Sequence, residues 1–100
     1  MVLESSVQSA IMKWLKTIPN SDWVKPTVTN KAGWPDISGH VQGQAVFIEV
    51  KRDAKSKPSK IQQHIISQIV KHGGISFVAY TVSSVREKLR EELLKRDIVI

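Results

Sequence analysis

Two runs of this chain, Asp36 to Val41 and Ala45 to Lys51, sit either side of Gln42-Gly43-Gln44 and constrain its fold more than any other stretch. The second run, AVFIEVK, is rich in β-branched and aromatic residues and follows turn residues, the pattern of a strand. If Gln42-Gly43 is a two-residue hairpin turn, Val41 pairs with Gln44 and Asp36 lies opposite Glu49. Alternation then places Ile37, Val41, Val46, Ile48 and Val50 on one face, with Asp36, Ser38, His40, Phe47, Glu49 and Lys51 on the other. One face is apolar and suits a core, and the other carries the chemistry. A three-residue loop would slip the pairing by one residue and destroy this division.

The rest of the chain supplies elements to flank that hairpin. Val7, Ile11, Leu15 and Ile18 recur at helical spacing, which predicts a helix from about Leu3 to Thr17, ended by Pro19-Asn20. Trp23 to Val28 reads as a strand that Pro26 confines to an edge or an irregularity, and Thr29 to Trp34 as a loop. Pro35 biases Trp34 towards extended backbone, so Asp36 should enter a strand. Ser59 and Gln62 form a capping box for a helix with an apolar face of Ile61, Ile65, Ile66, Ile69 and Val70, ended by Gly73-Gly74. Ile75 to Thr81 has strand character. Ser84 and Glu87 offer a second capping box, for a helix whose Val85, Leu89 and Leu93 face inward. Ile98-Val99-Ile100 reads as a last short strand or a docked tail. The order α-β-β-β-α-β-α implies an α/β fold, a small mixed β-sheet flanked by helices.

Composition narrows the class. One hundred residues with 41% hydrophobic content suit a single globular domain spanning 1-100. No apolar run is long enough to cross a bilayer, and Glu4 and Ser5 stand where a signal peptide would be basic and then hydrophobic, so an intracellular protein without membrane partners is expected. The absence of cysteine excludes disulfides, thiolate metal sites and cysteine nucleophiles. Fifteen Lys and Arg against nine Asp and Glu give a formal charge of +6, a bias shared by nucleic-acid-binding proteins. Residues 86 to 97 are nearly neutral, with five basic and four acidic groups, and read as a solvated helix face. The surplus is densest in Lys51, Arg52, Lys55, Lys57 and Lys60, opposed only by Asp53. Such a run is often a solvated loop, but this one leaves directly from the acidic pair.

Directly opposed residues on antiparallel strands have side-chain roots about 4.5 to 5.5 Å apart, so Asp36 and Glu49 can both reach one cation. Without one, the like charges cost a few tenths to about 1 kcal/mol. Two readings follow: a surface cluster that Lys51 neutralises, or a site for a hard cation. All-oxygen ligation suits Mg²⁺ or Mn²⁺, commonly held by one or two carboxylates with phosphate and water. His40, His64 and His72 lack zinc-site spacing, although the register aims His40 along the active face. Trp34, beside the acidic pair, reads either as a packing residue or as a group that stacks on a base, and Trp14 and Trp23 as core or interface. No Gly-rich phosphate loop is present, and Ser59 lacks a base to activate it as a nucleophile.

Proline-Asp, a spacer, then Glu-x-Lys resembles the signature of the PD-(D/E)xK nuclease superfamily, and its fuller form here resembles the VRR-NUC branch. The resemblance is carried by Glu4 with Gln8, by Gly33-Trp34-Pro35-Asp36-Ile37, by Phe47-Ile48-Glu49-Val50-Lys51, and by Pro58-Ser59-Lys60-Ile61-Gln62 leading to Gly73. It covers residues 4 to about 80. It implies a restriction-endonuclease-like core, with Asp36, Glu49 and the backbone carbonyl of Val50 as metal ligands and Lys51 as the group that orients or activates water. Glu4 matches a helical glutamate that lines the site in that superfamily and contacts metal directly or through water, although a favourable charge near a helix N-terminus explains it as well. Gln62 matches a glutamine on the helix after the Glu-x-Lys strand, a position its capping role also explains, with Gln63 as a weaker substitute.

The resemblance further implies a Mg²⁺- or Mn²⁺-dependent endonuclease that leaves a 5′-phosphate, has no organic cofactor and works in the cytoplasm of a bacterial or phage-infected host cell. No recognisable base-reading module is present, so shape and phosphate contacts should govern recognition, with Lys31, Trp34, Arg52, Lys55, Lys57 and Lys60 as candidate DNA contacts. Stand-alone VRR-NUC proteins resemble Holliday-junction resolvases, which makes branched DNA the expected substrate and a homodimer the expected assembly. The competing readings are a non-catalytic basic DNA-binding module and a nuclease subunit that acts on duplex or single-stranded DNA within a larger complex.

Overall fold

The computed structural model describes residues 3–26 and 31–100. Its elements are α1 (Glu4–Leu15), β1 (Ser21–Val24), β2 (Ile37–Val41), β3 (Gln44–Val50), α2 (Lys60–Lys71), β4 (Ile75–Ala79) and α3 (Val82–Leu94). The strands form one sheet in the order β1-β2-β3-β4, antiparallel except for the parallel pair β3 and β4. Parallel neighbours need a crossover, and α2 supplies it. The result is the small mixed sheet with three flanking helices that the pattern of the sequence implies.

Hairpin register follows the two-residue turn, with Val41 opposite Gln44 and Ile37 opposite Ile48. Gln42 and Gly43 both take positive φ, 50° and 84°, as a type I′ turn demands. In consequence Ile37, Val41, Val46, Ile48 and Val50 are wholly buried, joined from α1 by Val7, Ile11 and Leu15 and from α3 by Val85, Leu89 and Leu93. Trp23 on β1 lies opposite Gly39, where a Cβ would run into the Trp23 ring and the carbonyl of Asp22. Gly39 thus lets the indole lie flat on the core face. The Trp23 Nε1–H donates to Ser21 Oγ at 2.9 Å, which satisfies the one polar group that burial would strand.

Several elements depart from the sequence reading. Strand β1 begins at Ser21 and ends at Val24, ahead of Pro26, and is an edge strand, while Val28 and Thr29 lie outside the described residues. Helix α3 starts at Val82, capped by Thr81 with Ser84 at the third position, so the box is Thr81-Ser84 and not Ser84-Glu87. Thr81 satisfies the Ser84 amide, and Ser84 Oγ accepts in turn from the Thr81 amide, which starts the helix one turn earlier. Of the apolar residues on α2 only Ile65 is buried, and Ile61 and Val70 are exposed. No last strand forms at the C-terminus. Ile98 and Ile100 pack against the core and Val99 stays exposed. No helix among the described residues is long and apolar enough to cross a membrane.

Candidate active site

The centre of the site is Glu49, on the sheet face opposite the core. β3 is an interior strand, and α2 crosses this face, so Glu49 is only 2% exposed. Its Oε2 accepts from Gln62 Nε2 at 2.9 Å and lies 3.2 Å from Lys51 Nζ, whereas its Oε1 is buried without a hydrogen-bond partner. Burial pushes the Glu49 carboxyl up to about 7, and the neighbouring Asp36 carboxylate adds to this, outweighing the ammonium of Lys51. A carboxylate in this state gains most from a cation on its unoccupied side.

Asp36 immediately precedes β2, and its Oδ2 accepts from the Val50 N–H at 2.8 Å. That bond ties the Pro-Asp loop to the end of β3 and turns Asp36 towards Glu49. Gly33 helps to form the loop: its φ is +80°, and a Cβ there would stand 2.5 Å from Ile61 Cγ2 at the start of α2. The loop and the helix therefore approach each other through a residue without a side chain. Val50 enters the site by its amide, and Lys51 is held by a bond from its own N–H to the Ala79 carbonyl at 2.9 Å.

Gln62 both caps its helix and touches the site. Its Oε1 accepts from the Ser59 N–H at 2.9 Å, and its own N–H donates to Ser59 Oγ at 3.1 Å. With the amide oxygen committed to the cap, the NH₂ must point away, and it points at Glu49. Gln63 instead donates to the Pro58 carbonyl, away from the site. Glu4 opens α1. Among the described residues no three His, Cys, Asp or Glu side chains group as a ready metal cage, so Glu4 does not complete a carboxylate triad with Asp36 and Glu49.

His40 faces the other end of the hairpin. Its Nε2 pairs with Asp22 Oδ2 at 2.9 Å and its Nδ1 accepts from the Gly43 N–H, so it buttresses the turn and does not serve the carboxylates. In the basic loop Arg52, Lys55, Lys57 and Lys60 are exposed. Asp53, the one acid among them, spends its Oδ1 on the amides of Lys55 and Ser56 at 2.9 and 3.0 Å, which folds the loop back on itself. Basic groups on the second half of α3 and just beyond it contrast with these. Lys88, Lys95 and Arg96 all lie within 4 Å of Glu92, the paired surface expected from the neutral composition of that segment.

Two features near Asp36 were not legible as a unit. Trp34 and Phe47 meet edge to face, centroids 5.5 Å apart, with Lys31 Nζ 5.9 Å from the Trp34 ring. Both rings line a groove of about 530 Å³ between β3 and α2, together with His64, Gln68 and His72. Alternation places Phe47 on the active face, but only the path of α2 makes a groove of it.

Two solved structures share this architecture. A VRR_NUC domain protein superposes with a TM-score of 0.74 at 22% identity, over 94% of this chain and 91% of its own. A structure described as a VRR_NUC domain gives 0.75 at 24% identity, over 86% and 92%. No protein-family model matches the sequence, and no curated protein does. The chain thus has the restriction-endonuclease-like fold of VRR_NUC domains, as the motif resemblance implies.

Proposed function

We propose that this chain is a metal-dependent, structure-selective DNA endonuclease that cuts branched DNA such as four-way junctions and leaves a 5′-phosphate. The observation that carries the reading is the Glu49 carboxyl, buried against Asp36, with one oxygen held by Lys51 and Gln62 and the other unpartnered. Mg²⁺ or Mn²⁺ fits this donor set: two carboxylates, hard oxygen throughout, no thiol and no imidazole at the centre. Asp36 and Glu49 would hold it, with the Val50 carbonyl as a further ligand and Glu4 contributing through water. When bound, the ion supplies a Lewis acid for a phosphate oxygen and lowers the pKa of water beside it.

The protein's own groups have definable tasks. Lys51, anchored through its backbone and steered by Glu49, offers its ammonium to the attacking water and to the charge that grows on the phosphate. Water adds to phosphorus and gives up a proton to solvent, the bond to the 3′ oxygen breaks, and that oxygen takes a proton from solvent as it leaves. Gln62 holds Glu49 in position for this. Exposed Arg52, Lys55, Lys57 and Lys60, with Lys31 beside Trp34, would track the phosphate backbone. We assign the working unit as a homodimer, which lets two sites act symmetrically on a four-way junction.

Labelled four-way junction, flap and linear duplex incubated with Mg²⁺ or Mn²⁺ test the reading. The junction should be cut fastest, and Asp36→Asn should lose about 100-fold or more. If no substrate is cut, or if Asp36→Asn cuts like the wild type, the reading is wrong, and binding without cutting would identify a DNA-binding module. Preference for linear duplex or single strands would place the chain in a different nuclease assembly, and a strictly monomeric species in sedimentation would contradict the dimer.

A further inference from the structure

We infer that the groove between β3 and α2 receives an unpaired nucleobase from the strand whose phosphate lies at Asp36 and Glu49, an inference that rests on the nuclease reading above. Position is the first ground. Trp34 lies two residues before Asp36, and Phe47 two before Glu49 on the same face of β3, so the groove begins one strand repeat from the acidic pair. Chemistry is the second. Trp34 and Phe47 give partly exposed aromatic surface and pack edge to face against each other. His64, Gln68 and His72 line the helix side of the groove with hydrogen-bonding groups suited to the polar edge of a base. A volume of about 530 Å³ is in the range of roughly 300 to 1,000 Å³ found for pockets that take drug-sized small molecules.

Charge is the third ground. Lys31 borders the groove at Trp34, and the exposed Lys55 and Lys57 follow the end of β3 that carries Glu49. A phosphate-linked base meets cations outside and aromatic surface within, an arrangement typical of single-strand binding sites. Paired duplex cannot deliver a base there without unstacking it, whereas a branch point offers bases that are already loosely held. The groove therefore gives this chain a physical reason to prefer branched over continuous DNA without reading sequence.

Cross-linking tests this directly. Branched DNA carrying 5-iododeoxyuridine at successive positions near the cut is irradiated with the wild-type protein in the absence of metal, and the attached peptide is identified by mass spectrometry. One position should attach to Trp34, Phe47 or His64. Removing the base at that position should lower kcat/KM about tenfold or more. Filling the groove with Gln68→Trp should cause a similar loss, and base removal should add little to it. His64→Trp serves as a second filling variant if Gln68→Trp melts early. Attachment only outside the groove, with cutting indifferent to both filling and base removal, overturns the inference and leaves the nuclease reading intact. A filled variant that changes only its sedimentation shows a seat for a second copy of the chain and also overturns it. A wild-type protein that cuts no substrate removes the nuclease reading itself, and this inference with it.

Discussion

A carboxyl group as buried as Glu49, facing Asp36, keeps its proton in the folded chain up to about pH 7, whereas in the unfolded chain it releases it near the ordinary value of 4.5. Between those values the folded state binds more protons than the unfolded one, so this carboxyl's contribution to metal-free stability is fully present below about pH 4.5 and is lost as pH rises through 7. Thermal melts in chelator should show this loss for the wild type, and Glu49→Gln should flatten it. Added Mg²⁺ should raise the melting temperature more at pH 8 than at pH 5.5, because only the ionised pair holds the ion, and Asp36→Asn should abolish the rise. The second residue-scale prediction concerns Gln62. Gln62→Glu keeps an acceptor for the Ser59 amide but replaces the donor to Glu49 with a repelling carboxylate, so cleavage should fall while α2 stays capped. A loss of helix content equal to that of Ser59→Ala would contradict this. The Ser59-Gln62 box was legible because its spacing is local. The contact from Gln62 to Glu49, 13 residues away in sequence, was not, because it depends on how α2 lies across the sheet.

At the scale of elements, glycines in and beside one hairpin separate backbone conformation from packing. Gly43 has φ +84° with nothing near a would-be Cβ, so Gly43→Ala should cost only the strain of a left-handed residue, about 1 kcal/mol. Gly39 has an ordinary φ but no space, and Gly39→Ala should cost several times more by displacing Trp23. Chemical denaturation of the two variants measures the difference, and equal losses would refute the division of roles. The hairpin was readable because alternation and a two-residue turn agree on one register. The start of α3 was less so, because Thr81 and Ser84 are both good caps, and only the reciprocal bonds with the Ser84 side chain select Thr81. For α2, the 3.6-residue period of its apolar residues marks a helix correctly. It could not show that Ile61 and Val70 lie beyond the reach of the sheet.

For the whole molecule, charge distribution is the property that matters. A chain of formal charge +6 with Glu91 and Glu92 on α3 engaged by neighbouring bases leaves exposed cations beside the acidic pair. Lys55, Lys57 and Lys60 changed together to Ala should weaken DNA binding and reduce the salt dependence by about 0.9 in log-log slope for each phosphate that the variant no longer neutralises. Measured binding at several salt concentrations checks this, and an unchanged slope would return the run to an ordinary solvated loop. The small mixed sheet flanked by helices follows from the sequence pattern because βαβ and hairpin connections admit few arrangements. The groove between β3 and α2 does not, since it arises from tertiary placement alone. The proposed chemistry depends above all on Asp36 and Glu49 together holding a divalent ion. Electron paramagnetic resonance of Mn²⁺ titrated into the wild type at pH 8 should show a bound ion that is lost in both Asp36→Asn and Glu49→Gln. Equal Mn²⁺ binding by all three proteins, or none by the wild type, would contradict it.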